Sequence, residues 1–162
     1  MIDARHATTG DADELMRLRV IMLTGVSGEE PPPGLWHSAG AAILRETIGT
    51  AFTVFVVDDP DRPGRLAACA VGTVEQRLPN PANPTGQVGY VFSVATDPRC
   101  RRRRYSRACL RALLHWYDAR GIAAVDLRAS RDGEPLYTAL GFARTTEPAM
   151  RRIRPEAGGA GA

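Results

Sequence analysis

Apolar residues recur along this chain in two rhythms, and each change of rhythm marks a new element. Leu15, Leu18, Ile21 and Met22 stand at helical spacing and predict a first helix over residues 12–23, with Asp11 and Glu14 at its start in the pattern of a capping box. A short strand is predicted ahead of it, over residues 2–6. Residues 25–34 cannot continue the helix, because Pro31, Pro32 and Pro33 lack backbone donors and fix φ; an exposed loop is expected there. Helical spacing returns over residues 36–48, with Ala39, Ala42, Ile43 and Thr47 on one side and Gly49 as the stop. Residues 52–57 are a dense run of β-branched and aromatic side chains, residues 58–64 a turn cluster, and residues 66–75 the second arm of a hairpin.

A second Pro/Asn/Gly loop covers residues 78–86. Residues 88–95 are apolar with little alternation, the pattern of a central strand buried on both faces. The longest helix is predicted from Arg103 or Arg104 to Arg120, with Ala108, Leu110, Leu113, Leu114 and Tyr117 as its apolar side and Gly121 as its stop. A strand over residues 124–129, a short helix over residues 134–140, two short strands within residues 143–153 and a disordered tail over residues 155–162 complete the pattern. Antiparallel hairpins followed by a βαβ crossover imply an α/β fold: a mixed, mostly antiparallel central sheet with helices on both faces.

Composition bounds this picture without changing it. At 162 residues, with 44% hydrophobic and 24% charged residues, the chain suits one globular domain, expected over residues 1–154. No run of eighteen apolar residues exists and the first residues hold no apolar signal region, so neither membrane nor secretion is expected, and the cytoplasm is the expected compartment. Cys69, Cys100 and Cys109 lack metal-ligand spacing and are read as reduced thiols, with no metal site.

Charge changes the picture more. The net charge is only +3, yet Arg99, Arg101, Arg102, Arg103, Arg104, Arg107 and Arg111 crowd into one short stretch. All 21 basic residues are arginine, which excludes Schiff-base chemistry through a lysine amine. A strand, a break at Asp97-Pro98, four consecutive arginines and a helix start follow in immediate succession. That is an anion-binding site in outline, because the first N–H groups of a helix have no internal partner and its dipole favours negative charge there. Cations at a helix N-terminus oppose the dipole, and a bound polyanion relieves the repulsion; with no anion they fan into screened solvent.

The element order, together with VATDPRCRRRRYSRACLRALL and the later EPLYTALGF, resembles the GCN5-related N-acetyltransferase superfamily over nearly the whole chain. In that family the central strand precedes a loop of the form Arg/Gln-x-x-Gly-x-Gly/Ala, and the helix after it binds the pyrophosphate of acetyl-CoA. Arg101 fills the first position, Arg104 the first glycine position and Ser106 the second, so the resemblance implies cofactor contacts from Arg101, Arg102, Arg103, Arg104, Tyr105, Ser106 and Arg107. The second motif, Tyr-x-x-x-Gly-Phe, is intact as Tyr137, Gly141 and Phe142, and Ser130 stands where an asparagine often precedes that tyrosine. By the same resemblance, the backbone of Ser93, Val94 and Ala95 pairs with the pantetheine arm, and a bulge opens that strand from the next. Arg104 departs from the pattern: either the loop adopts ordinary helical angles and the guanidinium adds a contact, or the side chain blocks the site.

The resemblance implies acetyl transfer from acetyl-CoA to a primary amine of a small molecule or protein by direct attack. That chemistry needs a neutral amine, a donor for the developing oxyanion and an acid for the leaving thiolate. Tyr137 is the candidate acid. Glu75 is the candidate base, with a solvated strand end as the competing reading; Asp97 reads as a turn residue and His115 as a helix-face residue. Trp36, Glu46, Glu75 and Arg77 could line the acceptor's entrance, and acidic lining would suit a cationic amine. A non-catalytic CoA-binding or partner-binding domain is the alternative. Nucleic-acid binding by the arginine patch is weaker, since no aromatic platform or helix-turn-helix pattern accompanies it. A homodimer is among the assemblies the resemblance implies.

Overall fold

The structure is a computed structural model that describes residues 2–154. Its elements run β1 (Arg5–His6), α1 (Ala12–Ser27), α2 (Leu35–Thr47), β2 (Thr53–Asp58), β3 (Leu66–Gln76), β4 (Gln87–Thr96), α3 (Tyr105–Asp118), β5 (Val125–Leu127) and α4 (Glu134–Thr138). The five strands form one sheet in the order β1-β2-β3-β4-β5, antiparallel except for the parallel β4–β5 pair. The mixed, mostly antiparallel sheet with helices on both faces is therefore the one the hydrophobic pattern predicts. No helix among the described residues is long and apolar enough to cross a membrane.

The sheet divides the core in two. On one face α1 and α2 pack Leu15, Met16, Leu18, Ala41 and Leu44 against Val54, Val56, Cys69 and Val71. On the other, α3 packs Cys109, Leu110, Leu113 and Tyr117 against Phe55, Ala68, Ala70 and Val91. Tyr117 is wholly buried, and its hydroxyl donates within reach of the carbonyls of Thr73 and Tyr90, which face each other across β3 and β4. Gly72 and Gly89 admit that ring: a Cβ on Gly89 would stand 2.8 Å from Tyr117 Cε1, and one on Gly72 2.8 Å from Leu113 Cδ1.

Several local expectations shift. The first helix runs past Gly25 to Ser27 and stops where Gly28 turns left-handed at φ 83°, its N–H donating to Thr24 O. Asp11 does not pair with Glu14 in a capping box. It closes one turn earlier with Thr8, whereas Glu14 crosses to β3 and accepts from Leu66 N at 2.9 Å. In α2 the buried residues are Ala41 and Leu44, while Ala39, Ala42 and Ile43 are exposed, because the helix turns towards α1 a face one residue round from the expected one. The strand before the short helix is only Val125–Leu127, and residues 143–153 form no strand: with Pro148 and charged and polar residues interleaved there, the apolar positions are too sparse to repay a pairing. The expected tail, residues 155–162, lies outside the described residues.

Candidate active site

The cationic loop is fastened from below by carboxylates. Asp97 is buried, caps the 3-10 turn at Pro98–Cys100 by accepting from Arg99 N at 3.0 Å, and takes Arg17 and Arg62 at 2.8 Å each. Arg62 also holds Asp59, and Arg17 holds Glu14. Burial alone would raise the Asp97 carboxyl, but the bonds from Arg62, Arg99 N–H and Arg17 outweigh it and hold it below the ordinary range. One network thus ties α1, the β2–β3 turn and the end of β4 together beneath the loop.

Above this base the loop keeps the backbone that glycine would adopt. Arg102 and Arg104 are left-handed at φ 61° and 63°, so the expectation of ordinary helical angles at Arg104 is corrected: α3 begins one residue later, at Tyr105, with Arg104 as its N-cap. L-residues reach this region at a cost of about 1 kcal/mol each. Alternation into the left-handed region turns successive N–H groups towards one side, an arrangement that suits an anion. Among the described residues, no backbone N–H from Arg101 to Arg107 has a hydrogen-bond partner. Arg103 pairs with Asp61 at 3.0 Å, while Arg101, Arg102, Arg104 and Arg107 have no ion partner there. Arg107 Nε is buried and donates to nothing. These groups fit a polyphosphate. Ser106 is turned inward, its hydroxyl bonded to Thr96 Oγ1 and near Ala95 O, so it pins α3 to β4.

β4 is irregular just before the loop. Cys69 faces Ala95 and Val71 faces Phe92, so two steps of β3 oppose three of β4, and the extra residue falls at Ser93–Val94. Ser93 has φ 49°. The bulge resets the alternation, so that Phe92 and Ser93 both face the α1–α2 side while Val94 joins the α3 side and Ala95 returns to the first. On its other edge β4 pairs with β5 only from Gly89 to Val91, leaving residues 92–96 open there.

Two spaces flank this opening. A cavity of about 340 Å3 lies on the α1–α2 side, lined by Met16, Trp36, Phe52, Phe92 and Ser93 among others. A groove of about 630 Å3 follows β5 and α4, lined by Tyr90, Asp126, Leu127, Glu134 and Tyr137. Tyr137 packs edge-on against Phe142, and burial raises its phenol, which has no hydrogen-bond partner among the described residues. At neutral pH it keeps its proton.

The remaining candidates are dispersed. Ser130 is exposed, and its hydroxyl accepts from Gly133 N at 3.2 Å at the start of α4. Glu75 lines neither space and is held by Arg77 at 2.7 Å, which also reaches Asp126. Glu46 is exposed, whereas Trp36 reaches the cavity. Reasoning from sequence missed Phe52, Phe92 and Arg19 on the cavity wall; no motif marks them, and only the bulge turns Phe92 and Ser93 the same way.

Residues 23–142 match the model of the acetyltransferase (GNAT) family. The chain belongs to that family. Solved GNAT-like structures share the fold: a predicted acetyltransferase with acetyl-CoA from Clostridium acetobutylicum is 23% identical, with a TM-score of 0.80 over 94% of this chain and 96% of that one. A GCN5-related N-acetyltransferase from Ralstonia eutropha JMP134 is 23% identical, with a TM-score of 0.74 over 94% and 99%. Glucosamine-6-phosphate N-acetyltransferase from Arabidopsis thaliana, at 14% identity, reaches 0.73 over 95% and 99%. No curated protein matches the sequence. The GNAT fold here differs from the family's loop pattern in side chains, arginine for glycine, while keeping glycine-like angles.

Proposed function

We propose that this GNAT protein is an acetyl-CoA-dependent N-acetyltransferase acting on a primary amine by direct attack. The observation that carries the reading is the unpartnered run of N–H groups from Arg101 to Arg107, ringed by guanidiniums and set at the N-terminus of α3 directly after the opened end of β4. Acetyl-CoA supplies the acetyl thioester. The loop N–H groups and Arg101, Arg102, Arg104 and Arg107 bind its phosphates, with Arg103 and Tyr105 shaping the loop, and the free edge of β4 around Ser93, Val94 and Ala95 takes the pantetheine amides. Ser130 stands just before α4, where its hydroxyl accepts from Gly133 N.

Catalysis then needs two proton movements. The neutral amine forms a C–N bond to the acetyl carbon as the C–S bond breaks; Tyr137 gives its proton to the leaving sulfur, and the acetylated nitrogen loses one proton to water. Water takes that proton directly, because Glu75 is held by Arg77 and lines neither space. Tyr137 recovers its proton from solvent, so atoms and charge balance.

Acetyl-CoA at concentrations well above micromolar is expected to raise the melting temperature; an unchanged melt would overturn the reading. With an accepted amine, Tyr137→Phe is expected to lower kcat by about 100-fold with acetyl-CoA affinity retained. An unchanged kcat would remove Tyr137 from the chemistry.

A further inference from the structure

The cavity on the α1–α2 side carries information about the acceptor, and this inference rests on the acetyltransferase reading. Its wall is almost wholly apolar. Phe52 and Phe92 meet edge to face at 5.3 Å, and Trp36 closes the side, its ring fixed by a 2.9 Å bond from Nε1 to Pro32 O. Ser93, at the β4 bulge, lines the same cavity, so the space reaches the point where a thioester lying along β4 would be exposed.

Among the described residues, one charged side chain lines the cavity, and it is Arg19. Leu15, Met16 and Arg19 stand three and four residues apart on α1 and so share a face. Arg17 points away, into the network with Glu14 and Asp97. Arg19 is half-buried and, among the described residues, makes no ion pair or hydrogen bond, although most of the buried or half-buried charges around it are paired. It lies near enough to Cys69 to favour that thiol's ionisation, although burial holds the thiol at about 12, and Cys69 Sγ donates to Ser93 O at 3.3 Å. Arg19, Cys69 and Ser93 line the same cavity. Among the described residues, no carboxylate lines the wall.

We infer that the acceptor is a small amine with an apolar body and a carboxylate close to its amino group, that is, an apolar α-amino acid or a near analogue, and that Arg19 is the specificity-determining residue that receives the carboxylate. A half-buried cation without a counter-ion favours an anionic ligand, whereas polyamines and aminoglycosides would meet the positive charge of Arg19 and find no acid group on the described wall to hold them. The volume lies at the small end of small-molecule sites, which suits one residue-sized molecule. Apolar surroundings also favour the neutral form of the amine, which is the form that attacks. The amine nitrogen bonds to the acetyl carbon as sulfur leaves, one proton passing to sulfur and one leaving nitrogen.

The test is free-thiol release from acetyl-CoA with phenylalanine, leucine and methionine, with their amides, and with spermidine. The acids are expected to exceed their amides in kcat/KM by about 10- to 100-fold, the range of a hydrogen bond to a charged group. Arg19→Gln should bring each acid down to the level of its amide, Arg19→Lys should restore part of the difference, and acetyl-CoA affinity should be unchanged in both. Equal turnover of acid and amide, a preference for spermidine, or an Arg19→Gln variant that lowers acid and amide alike overturns the inference while leaving acetyl transfer standing. Should acetyl-CoA fail to bind, calorimetric titration of phenylalanine into the unliganded protein still decides: binding that Arg19→Gln abolishes supports the assignment, and no binding overturns it.

Discussion

At the residue scale, the informative positions are those where the side chain contradicts the backbone. Arg102 and Arg104 hold left-handed angles that glycine would adopt freely, and among the described residues neither has an ion partner. Such strain persists only where something else favours the side chain, and under the proposed acetyl-CoA reading a bound polyphosphate would be that favour. Arg104→Gly is therefore expected to leave stability unchanged or raise it by about 0.5–1 kcal/mol, seen as a melting temperature higher by about 1–4 °C. The same variant should bind acetyl-CoA about 5- to 20-fold more weakly, because a charge-assisted contact is lost. A variant that melts higher and binds equally well would show that the guanidinium takes no part.

At the element scale, the joints are buried ions and close approaches. Asp97 secures α1 and the β2–β3 turn to the end of β4 through Arg17 and Arg62. Asp97→Asn leaves both guanidiniums facing a neutral amide and is expected to cost about 2–3 kcal/mol by urea unfolding, somewhat less than a fully buried pair because Glu14 and Asp59 remain. The Asp97 carboxyl ionises at lower pH folded than unfolded, so its contribution is complete above the ordinary value of 3.8 and disappears as pH falls through the lower folded value. The variant should accordingly lose less stability than the wild type on acidification below about pH 4; parallel acid limbs would sink this account. On the opposite face, Gly72→Ala would drive a methyl group into Leu113 and the Tyr117 hydroxyl, with an expected loss of about 1–3 kcal/mol by the same measurement. Pairing it with Tyr117→Phe should recover part of that loss, since the hydroxyl is the nearest obstacle.

At the scale of the whole molecule, the family match and the folding unit differ in extent. The match begins at residue 23, yet Ala12, Leu15, Met16 and Leu18 are buried in the α1–α2 half of the core and Arg17 belongs to the ion network. Fully burying a side chain such as leucine or methionine contributes about 1.5–3 kcal/mol, so three of them approach the entire stability of a domain. Deletion of residues 2–22 is expected to give a chain without a cooperative thermal transition by circular dichroism. A cooperative melt from that shortened chain would show that the core is not organised as described.

Much of this protein was legible in the order of its residues. Spacing of three and four apolar positions marked α1, α2 and α3, turn clusters marked the β2–β3 hairpin, and the arginine run with the intact Tyr137–Gly141–Phe142 pattern pointed to the loop before α3 and its family. These signals are local, because helix period, turn chemistry and helix-end electrostatics act within a few residues. Three features are set only by the fold. The extra residue at Ser93–Val94 exists only as a mismatch against β3, and it alone turns Phe92 and Ser93 the same way. The left-handed angles of Arg102 and Arg104 follow from how the end of β4, anchored by Asp97, delivers the chain into α3. The isolation of Arg19 depends on where every carboxylate from other parts of the chain comes to rest, and that sum over distant partners has no signature along the chain.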